Sequence, residues 1–394
     1  MGSASLPPEL PPGTSPSLIL TQPTASECQR IWTLSHPKWG SALSLEEYLS
    51  REAYLASIPP GLTNWILTTA DDAADRGPRP VLSSCETIRK RAVACAPGGE
   101  VREGVAHGIA SVFTDPATRG RGYARRMMGE LGAQLAGWQA GAKGGEGKEA
   151  RALFSVLFSD IGKTFYAKTG WTPFESIHLS FPVPAGLSES NGAGGRCGSG
   201  ATPLTAADLP ELCTADEALL RVRIREQARR GGKTCVALLP DEAALQWHLL
   251  REAFMTRRLF GKAPAVVGAA YGAPGKRVWA VWARGYHGPP EVTEGNTLHV
   301  LRFAVEDDEG GGEAHAAEGF RAILLAALAE AREWRAAEVH IWNPGTVLRR
   351  AAAASGLEHA VVHREEESIA SLMWYGDGDV SGVEWVANEK FGWC

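Results

Sequence analysis

The stretch TRGRGYARRMM, from Thr118 to Met128, combines glycine and arginine at a spacing that suits anion binding. It follows HGIASVFTDP, which reads as a strand running into a turn, and it continues as a helix. Such a helix start presents unpaired backbone N–H groups, and the helix dipole favours negative charge there. Gly120 and Gly122 would let a phosphate approach the backbone closely. The stretch therefore predicts a pyrophosphate site, with a plain surface turn carrying helix-adjacent arginines as the alternative.

Other chemistries are not indicated by the sequence. The stretch contains neither GxxxxGK[ST] nor GxGxxG. The seven cysteines are scattered with no CxxC pair, so neither a zinc site nor a disulfide framework is expected, and no other metal-ligand cluster stands out. A net charge of -5 argues against a nucleic-acid partner. The absence of a long apolar run and of a secretory signal pattern, together with reduced thiols, leads us to expect a cytoplasmic protein without a membrane partner.

The spacing Arg119-x-x-Gly122-x-Ala124 resembles the [QR]xxGx[GA] signature of the GNAT N-acetyltransferases. In that family the backbone amides of this turn bind the pyrophosphate of acetyl-CoA, and the preceding splayed strand pairs with the pantetheine arm. The segment VFT matches the splayed strand in position. The resemblance therefore implies acetyl-CoA as cosubstrate, held by Val112, Phe113, Thr114, Arg119, Gly120, Arg121, Gly122, Tyr123, Ala124 and Arg125.

Three residues are candidates for acid–base chemistry. FYAKTGW resembles the family's Tyr-x-x-x-Gly-Phe/Trp element, in which the tyrosine protonates the leaving thiolate, and this role falls on Tyr166; a core aromatic is the alternative. An amine acceptor must lose a proton before it attacks, so a base is needed on a strand that faces the thioester. We favour Glu86 in LSSCETIRK, which could instead bind the acceptor's ammonium. His107 at the start of the central strand is a second candidate.

Longer strings narrow the resemblance to fungal lysine N6-acetyltransferases. These strings are CETIRKRA, HGIASVFTDPATRGRGYARRMM, SDIGKTFYAKTGW, WHLLREAFMTRRLFG and VEWVANEKFGWC. The resemblance implies direct transfer of acetyl to the ε-amine of free L-lysine in a ternary complex, as a step of lysine catabolism. A polyamine or a protein lysine as acceptor, and a non-catalytic acyl-CoA-binding module, remain the alternatives. Nothing in the sequence sets the oligomeric state.

The chain divides into two related halves by composition. We expect an α/β (α+β) GNAT fold followed by a second, degenerate GNAT-like domain, because EVHIWNPGTVLRRAAAASGL aligns with ALFSVLFSDIGKTFYAKTGW. Glycine, serine and alanine dominate the intervening segment, which is typical of a flexible linker. The expected units are a disordered tail 1–16, an acetyltransferase domain 17–183 ending in the strand SIHLSFPV, a linker 184–202, and a GNAT-like domain 203–394.

Local patterns predict the elements of each half. The region 25–57 reads as helical with a break at His36–Pro37, and 121–139 and 317–335 read as helices. No strand is predicted between the helices 206–231 and 241–260. The predicted strands include Leu18–Gln22, Asn64–Thr69, Pro80–Arg89, His107–Thr114, Ala265–Tyr271, Val278–Tyr286, Thr297–Val305, Glu338–Trp342, Ala360–His363 and Ile369–Tyr375.

The second half lacks a basic turn. After its strand 297–305 the chain reads EDDEGGGEAHAAEG, and acidic residues there would repel a pyrophosphate, so we expect one acetyl-CoA per chain. The C-terminal residues Glu384, Trp385, Glu389 and Trp393 could close over an amino-acid acceptor; a solvated tail is the alternative. The acceptor's carboxylate needs a partner, for which the early helical region offers His36, Lys38 and Trp39 without favouring one.

Overall fold

The computed structural model describes residues 10–58, 61–70, 79–140, 151–184, 200–289, 291–307 and 312–394. The helices are α1 (Ala25–Trp39), α2 (Leu45–Ser57), α3 (Tyr123–Leu135), α4 (Thr164–Ala167), α5 (Leu209–Gly231), α6 (Glu242–Phe260), α7 (Gly312–Glu333) and α8 (Thr346–Ala354). The strands are β1 (Leu18–Thr21), β2 (Leu62–Thr69), β3 (Ser83–Cys95), β4 (Val101–Phe113), β5 (Phe154–Ser159), β6 (Thr172–Pro173), β7 (Ile177–Pro182), β8 (Thr202–Leu204), β9 (Thr234–Leu238), β10 (Gly268–Tyr271), β11 (Val278–Gly285), β12 (Thr297–Val305), β13 (Glu338–Trp342), β14 (Ala360–His363), β15 (Ile369–Trp374) and β16 (Val383–Trp385).

The strands form two sheets with helices packed on both. The first sheet runs β1-β2-β3-β4-β5-β15-β6, and β9 joins it along β3 with β16 beside β9. The second sheet runs β14-β7-β13-β12-β11-β10-β8. Near the middle of each sheet one parallel pair, β4–β5 or β12–β13, stands among antiparallel neighbours, and β9 and β16 form a further parallel pair at the edge of the first sheet. This shared order confirms the sequence prediction of two related α/β units.

The two sheets exchange a strand, which corrects one sequence prediction. Strand β7, expected to end the first unit, lies in the second sheet between β13 and β14. Strand β15, from the second half, lies in the first sheet beside β5. Strand membership therefore does not follow the predicted division of the chain. Of the predicted linker, residues 185–199 lie outside the described part.

The parallel pairs β4–β5 and β12–β13 each separate part-way along their length. Pairing between β4 and β5 ends at Ile109 opposite Leu157, although β4 continues to Phe113. Pairing between β12 and β13 ends at Val300 opposite Ile341, although β12 continues to Val305. Each sheet thus opens into a V-shaped gap, which we call the splay, at the carboxyl end of its central strand.

Local sequence explains the helix limits near the first splay. Thr24 and Ser44 each begin a helix with a capping box, in which the hydroxyl accepts from the backbone of a glutamate three residues on. The predicted break at His36–Pro37 is wrong, since α1 continues to Trp39 and the interruption falls at residues 40–44. Helix α3 buries Met127, Met128, Leu131 and Leu135 against the first sheet.

Strand β9 was missed from the sequence. Its residues TCVAL follow a long helix directly and carry no alternation, because both faces are covered: Val236 and Leu238 lie in one core cluster and Cys235 and Ala237 in another. No helix among the described residues is long and apolar enough to cross a membrane.

Candidate active site

The basic turn has the backbone geometry that its glycines predict. Gly120 and Gly122 have φ values of 80° and 85°, in the left-handed region that glycine adopts without strain. Gly122 is the N-cap of α3, and no side chain caps that helix. A Cβ at Gly120 would meet no atom within 4 Å, so the backbone here is open to a ligand. Helix α3 therefore presents uncapped N–H groups beside an accessible turn.

The arginines around this turn supply positive charge at the surface. Arg119, Arg121 and Arg125 are exposed, and Arg119 also donates to the Thr114 carbonyl over 3.1 Å. Arg126 is half-buried and pairs with Glu130 one helical turn further on. Three of the four arginines thus have no carboxylate partner among the described residues and can add attraction for an anion at the helix start.

A Pro-rich segment packs against the back of the turn. The Gly13 amide donates to the Arg121 carbonyl over 2.9 Å, and the Tyr123 hydroxyl donates to the Pro11 carbonyl over 2.6 Å. The Arg121 guanidinium also donates to the Leu10 carbonyl. Residues 10–16 are therefore held by hydrogen bonds, contrary to the expectation that 1–16 form a disordered tail; residues 1–9 lie outside the described part. These contacts fix the turn from one side.

The end of β4 bends at a β-bulge. Ser84 pairs with Phe113 while Glu86 pairs with Ala110, so β4 has one extra residue at this point, and Ser111 has a φ of 54°. The Phe113 carbonyl accepts from Ser83, and the Phe113 ring packs edge-on against Trp39 at 5.9 Å. Val112 and Thr114 flank this ring and are partly exposed. The bulge directs the end of β4 away from β5 and widens the splay.

Glu86 faces a cleft on the α1–α2 side of the first sheet. The cleft has a volume of about 310 Å³, and its polar lining includes Glu52, Asn64 and Ser111. The Ser111 hydroxyl donates to Glu86 Oε1 over 2.5 Å. Burial, and then the nearby charge of Glu52, raises the pKa of Glu86 to about 7. A carboxyl group with that pKa can accept a proton at neutral pH and release it again.

Tyr166 lies on the other face of the same sheet. It is buried among Ile109, Leu157 and Trp171, on the side covered by α3. Burial raises the pKa of its hydroxyl above the ordinary value, so the group stays protonated at neutral pH. Glu86 and Tyr166 therefore occupy opposite sides of the sheet near the splay, and the basic turn lies on the α3 side with Tyr166.

His107 does not share the cleft with Glu86. It points to the α3 side, where its Nε2 donates to the Trp138 carbonyl over 2.9 Å. Its ring is fully buried, and burial lowers the pKa of the imidazole to about 4. His107 is therefore held as a neutral side chain on the face opposite Glu86, and its role as a base stays a prediction.

Several cleft residues were not found from the sequence. Tyr48 and Glu52 are four residues apart on α2, a spacing that places them on one helix face. Arg51 is buried, pairs with Glu52 at 2.7 Å and covers the Tyr48 ring at 4.6 Å. The helical spacing is the signal that could have identified Tyr48 and Glu52. No local sequence signal identifies Ser111, because its position in the cleft depends on the bulge. Of the three predicted partners for a carboxylate, only Trp39 lines the cleft, since Lys38 is exposed and His36 bonds the Leu43 carbonyl.

The C-terminal residues pack onto the face of the first sheet that carries Glu86, as the sequence predicts for a docked tail. Trp385 and Phe391 are buried, and Glu389 accepts from the guanidinium of Arg302 and from the Phe303 amide. The Cys394 sulfur lies 3.9 Å from the Ile109 carbonyl, next to the last pair of β4 and β5. The tail therefore reaches the splay of the first sheet.

A second cleft continues along the same face of β3. Its volume is about 750 Å³, and it is lined by Ile88, Lys90, Asp241 and Trp247 among others. Ile88 and Lys90 follow Glu86 at alternate positions and so share its face. Lys90 therefore places a further basic group on the face of β3 that carries Glu86.

In the second sheet, the residue that begins the corresponding turn is already bonded. Glu306, directly after β12, accepts from the amides of Gly275 and Arg277 and from the Arg277 guanidinium, at 2.7, 3.1 and 2.7 Å. The side chain is almost fully buried. Asp308 and Glu309 of the same acidic run lie outside the described part, and Asp307 is placed but not buried. An occupied, negatively charged turn cannot serve as a phosphate site in the way the first one can.

The first unit fits an acyl-CoA thioester. A splayed strand pair offers unpaired strand edges to an extended arm, and the uncapped start of α3 offers amides to a pyrophosphate. A polarised thioester between Glu86 and Tyr166 would have a proton acceptor on one side and a proton donor on the other. Fold and site together define an acyl-CoA-dependent N-acyltransferase of GNAT type.

Comparison with known proteins narrows this class. Residues 178–394, more than half of the chain, match the family model of the LYC1 GNAT-like C-terminal domain, and the chain belongs to this family. It is similar to a protein of Yarrowia lipolytica named lysine acetyltransferase, with 25% identity over 285 residues that cover 65% of this chain and 69% of that protein.

Two solved structures support the fold. A probable N-acyltransferase from Enterococcus faecalis aligns with a TM-score of 0.51 at 13% identity, covering 91% of this chain and 72% of that one. Saccharomyces cerevisiae N-myristoyltransferase, solved with bound myristoyl-CoA, aligns with a TM-score of 0.51 at 8% identity, covering 92% and 80%. At these identities the likeness extends to the fold alone.

Proposed function

We propose that the protein transfers the acetyl group of acetyl-CoA to the ε-amine of free L-lysine, as a step of lysine catabolism. The observation that carries the proposal is Glu86: a half-buried carboxyl group with a raised pKa, held by Ser111 in a cleft beside the splay and opposite the face of Tyr166. The name of the Yarrowia lipolytica relative supports lysine as acceptor.

Each residue has a distinct task in this reaction. Glu86 takes the proton of the acceptor's ammonium, directly or through water, so that the amine nitrogen can form its bond to the thioester carbon. As the carbon–sulfur bond breaks, the Tyr166 hydroxyl gives its proton to the departing thiolate. Backbone amides of the splayed β4 polarise the carbonyl oxygen. Both substrates are bound together, so no acyl-enzyme is formed.

The basic turn holds the pyrophosphate of acetyl-CoA in this proposal. Arg119, Arg121 and Arg125 supply charge, and the amides from Gly120 to Ala124 supply directed donors. Residues 17–183 contribute this cosubstrate site, while 203–394 contribute β15, the docked tail and one wall of the acceptor side. The free thiols of the described cysteines agree with a cytoplasmic reaction.

A polyamine acceptor is less well supported. Glu306 is occupied by Arg277, and Glu365 is exposed and pairs with Lys163, so neither is available to a polycation in the cleft. A non-catalytic acyl-CoA-binding module is also less well supported, because binding alone does not require a carboxyl group with the raised pKa of Glu86.

The test is release of free thiol from acetyl-CoA by the purified chain, with L-lysine, other free amino acids, polyamines and a lysine peptide offered in parallel. We expect turnover with L-lysine well above that with the other amines, and N6-acetyllysine as the product by mass spectrometry. Tight acetyl-CoA binding without turnover of any amine would leave a binding module and overturn the proposal.

A further inference from the structure

In the described part of the chain four arginines are almost fully buried, and they differ in their partners. Arg51 pairs with Glu52, Arg284 with Glu252 and Glu330, and Arg302 with Asp216 and Glu389. Arg364 is 8% exposed, and its Nε, Nη1 and Nη2 atoms are all buried without a hydrogen-bond partner. It forms no ion pair with any described residue, and burial lowers the pKa of its guanidinium to about 10.

Lys390 is a second buried cation beside Arg364. It is 8% exposed, and it forms no ion pair among the residues that the structure describes. Both cations contact the Trp342 indole: the Arg364 guanidinium carbon lies 3.8 Å and Lys390 Nζ 4.2 Å from the ring centroid. The Trp393 ring covers the lysine from another side at 3.9 Å. Two buried basic groups without an anion are costly to keep charged, because ring contacts replace only part of the lost hydration, and burial lowers the pKa of Lys390 well below its ordinary value.

This cation pair lies at the splay of the first sheet. Phe158 is the first residue of β5 beyond its last pair with β4, and its ring is 5.8 Å from Trp342. Cys394, next to the Trp393 that covers Lys390, contacts the Ile109 carbonyl, and the following residue Ala110 opposes Glu86. The cation pair and the candidate base are thus linked through the tail residues Trp393 and Cys394, which reach the part of β4 that pairs with Glu86.

We propose that Arg364 and Lys390 bind the α-carboxylate of the amino-acid acceptor while Glu86 receives its side-chain amine. This inference rests on the proposed function and names the residues that make the enzyme select an amino acid over a simple diamine. The planar fork of an arginine matches a carboxylate, and a second cation adds to the attraction. The four methylene groups of lysine separate the carboxylate that the cations would bind from the amine that Glu86 would receive.

The closing experiment compares L-lysine with cadaverine, which has the same amine and chain but no carboxylate. Turnover of both is measured for the wild-type chain and for Arg364→Gln and Lys390→Met. We expect kcat/KM for L-lysine to fall about 10- to 100-fold in each variant, mainly through KM, with kcat/KM for cadaverine unchanged or higher. Lys262→Met is the matched control, since Lys262 also covers an indole but pairs with Glu333 at the surface.

Other results would overturn the inference. An equal loss for both amines would indicate a structural role for the pair. If Lys90→Met lost the preference for L-lysine over cadaverine and Lys390→Met kept it, the α-carboxylate of the acceptor would bind in the second cleft instead. Thermal unfolding guards against misfolding: without its anion, Arg364→Gln should be no less stable than wild type, whereas a packing role predicts a clear loss.

The two proposals can fail separately. If the wild-type chain acetylates amines but prefers cadaverine to L-lysine, the proposed acetyltransfer stands and the carboxylate site is wrong. If it turns over no amine, the acceptor proposal fails as a whole. Binding of the unreactive L-norleucine, measured by calorimetry, then decides whether the cations still hold a carboxylate, with loss in Arg364→Gln supporting it and retention overturning it.

Discussion

The two splayed strand pairs of this protein separate in the same way, but their backbone donors are bonded within the protein in one sheet and, among the described residues, left unbonded in the other. Beyond Ile109 in the first sheet, the gap is bordered by a bulge, an exposed basic turn and a polar cleft. Beyond Val300 in the second sheet, Glu389 of the tail accepts the Phe303 amide within the corresponding gap, and the turn that follows is filled by Glu306. A splay is therefore a site only while its backbone donors are left for a ligand.

The difference lies in a few charged residues rather than in the fold. Both turns follow a central strand, but one has glycines with arginines, whereas the other begins with Glu306, whose carboxylate accepts from backbone amides of the turn between β10 and β11. In the second unit the backbone N–H donors form hydrogen bonds within the protein, which stabilise the fold. In the first unit they stay unbonded within the described part of the chain, which lowers stability but leaves them available to a ligand. Four predictions test this division.

The largest effect is expected at Glu86. Glu86→Gln should lower kcat/KM by about 10²- to 10⁴-fold because the amine loses its proton acceptor. A group whose pKa is raised to about 7 acts as a base only above that pH, so the wild-type rate should rise with pH through about 7. The variant should lose this limb while acetyl-CoA affinity stays the same, which kinetics from pH 5.5 to 9 and calorimetry will measure.

Glu252→Gln is the control for that experiment. Glu252 is a buried carboxyl group of the second unit, bonded to Arg284, and its loss should lower stability without removing the pH limb. A wild-type profile that is flat near pH 7 would contradict the role of Glu86.

Tyr166→Phe should cost about 100-fold in kcat because the departing thiolate loses its proton donor. The Kd for acetyl-CoA should change little, since the ring remains in the core. Tyr375→Phe serves as the matched variant: Tyr375 is buried in the neighbourhood but bonds Ser155 at 2.7 Å, so its loss should affect thermal stability rather than rate. Equal rates in the two variants would rule out the assigned role.

The paired change Arg119→Gln and Arg121→Gln should weaken acetyl-CoA binding about 10-fold, with a smaller difference at high salt because the charges are exposed. Calorimetric titration at two ionic strengths measures this. Arg225→Gln with Arg230→Gln, two exposed arginines on α5, should leave binding unchanged. A comparable loss in the control pair would mean that net charge rather than the turn attracts the ligand.

The smallest effect on binding is expected in the second unit. Glu306→Gln should lower the free energy of unfolding by about 2 kcal/mol through its weakened hydrogen bonds, and it should leave one acetyl-CoA bound per chain with unchanged affinity. Urea titration and calorimetry measure the two quantities. A stoichiometry of two in wild type or variant would contradict the comparison on which these predictions depend.

The features that could be predicted from the sequence are those that depend on local residue spacing. The turn at Arg119–Ala124, the strand before it and the repeat of the two units all follow from periodicity and glycine placement, and the family comparison confirms the fold. The roles assigned to Glu86 and Tyr166 stay predictions. Contacts between distant segments were not predictable in this way: Arg364 and Lys390 meet only through Trp342, and no spacing in the chain signals that meeting.

Strand assignment failed for a similar reason. The segment at β7 reads as a strand in either sheet, because its apolar residues would be buried in both. Which neighbour it pairs with depends on the packing of the whole second half. The sequence likewise does not show to which face of β4 the His107 side chain points, because that face is fixed by the register of β4 with β3 and β5.

The reciprocal exchange of β7 and β15 has a consequence for synthesis on the ribosome. When the first half has emerged, β5 has its partner β4 on one edge, but the strand for its other edge lies more than 200 residues further along the chain. Until β15 arrives, that half exposes a bare strand edge of the kind that pairs with other chains. We expect the nascent first half to depend on chaperones, and its separate expression to give aggregates.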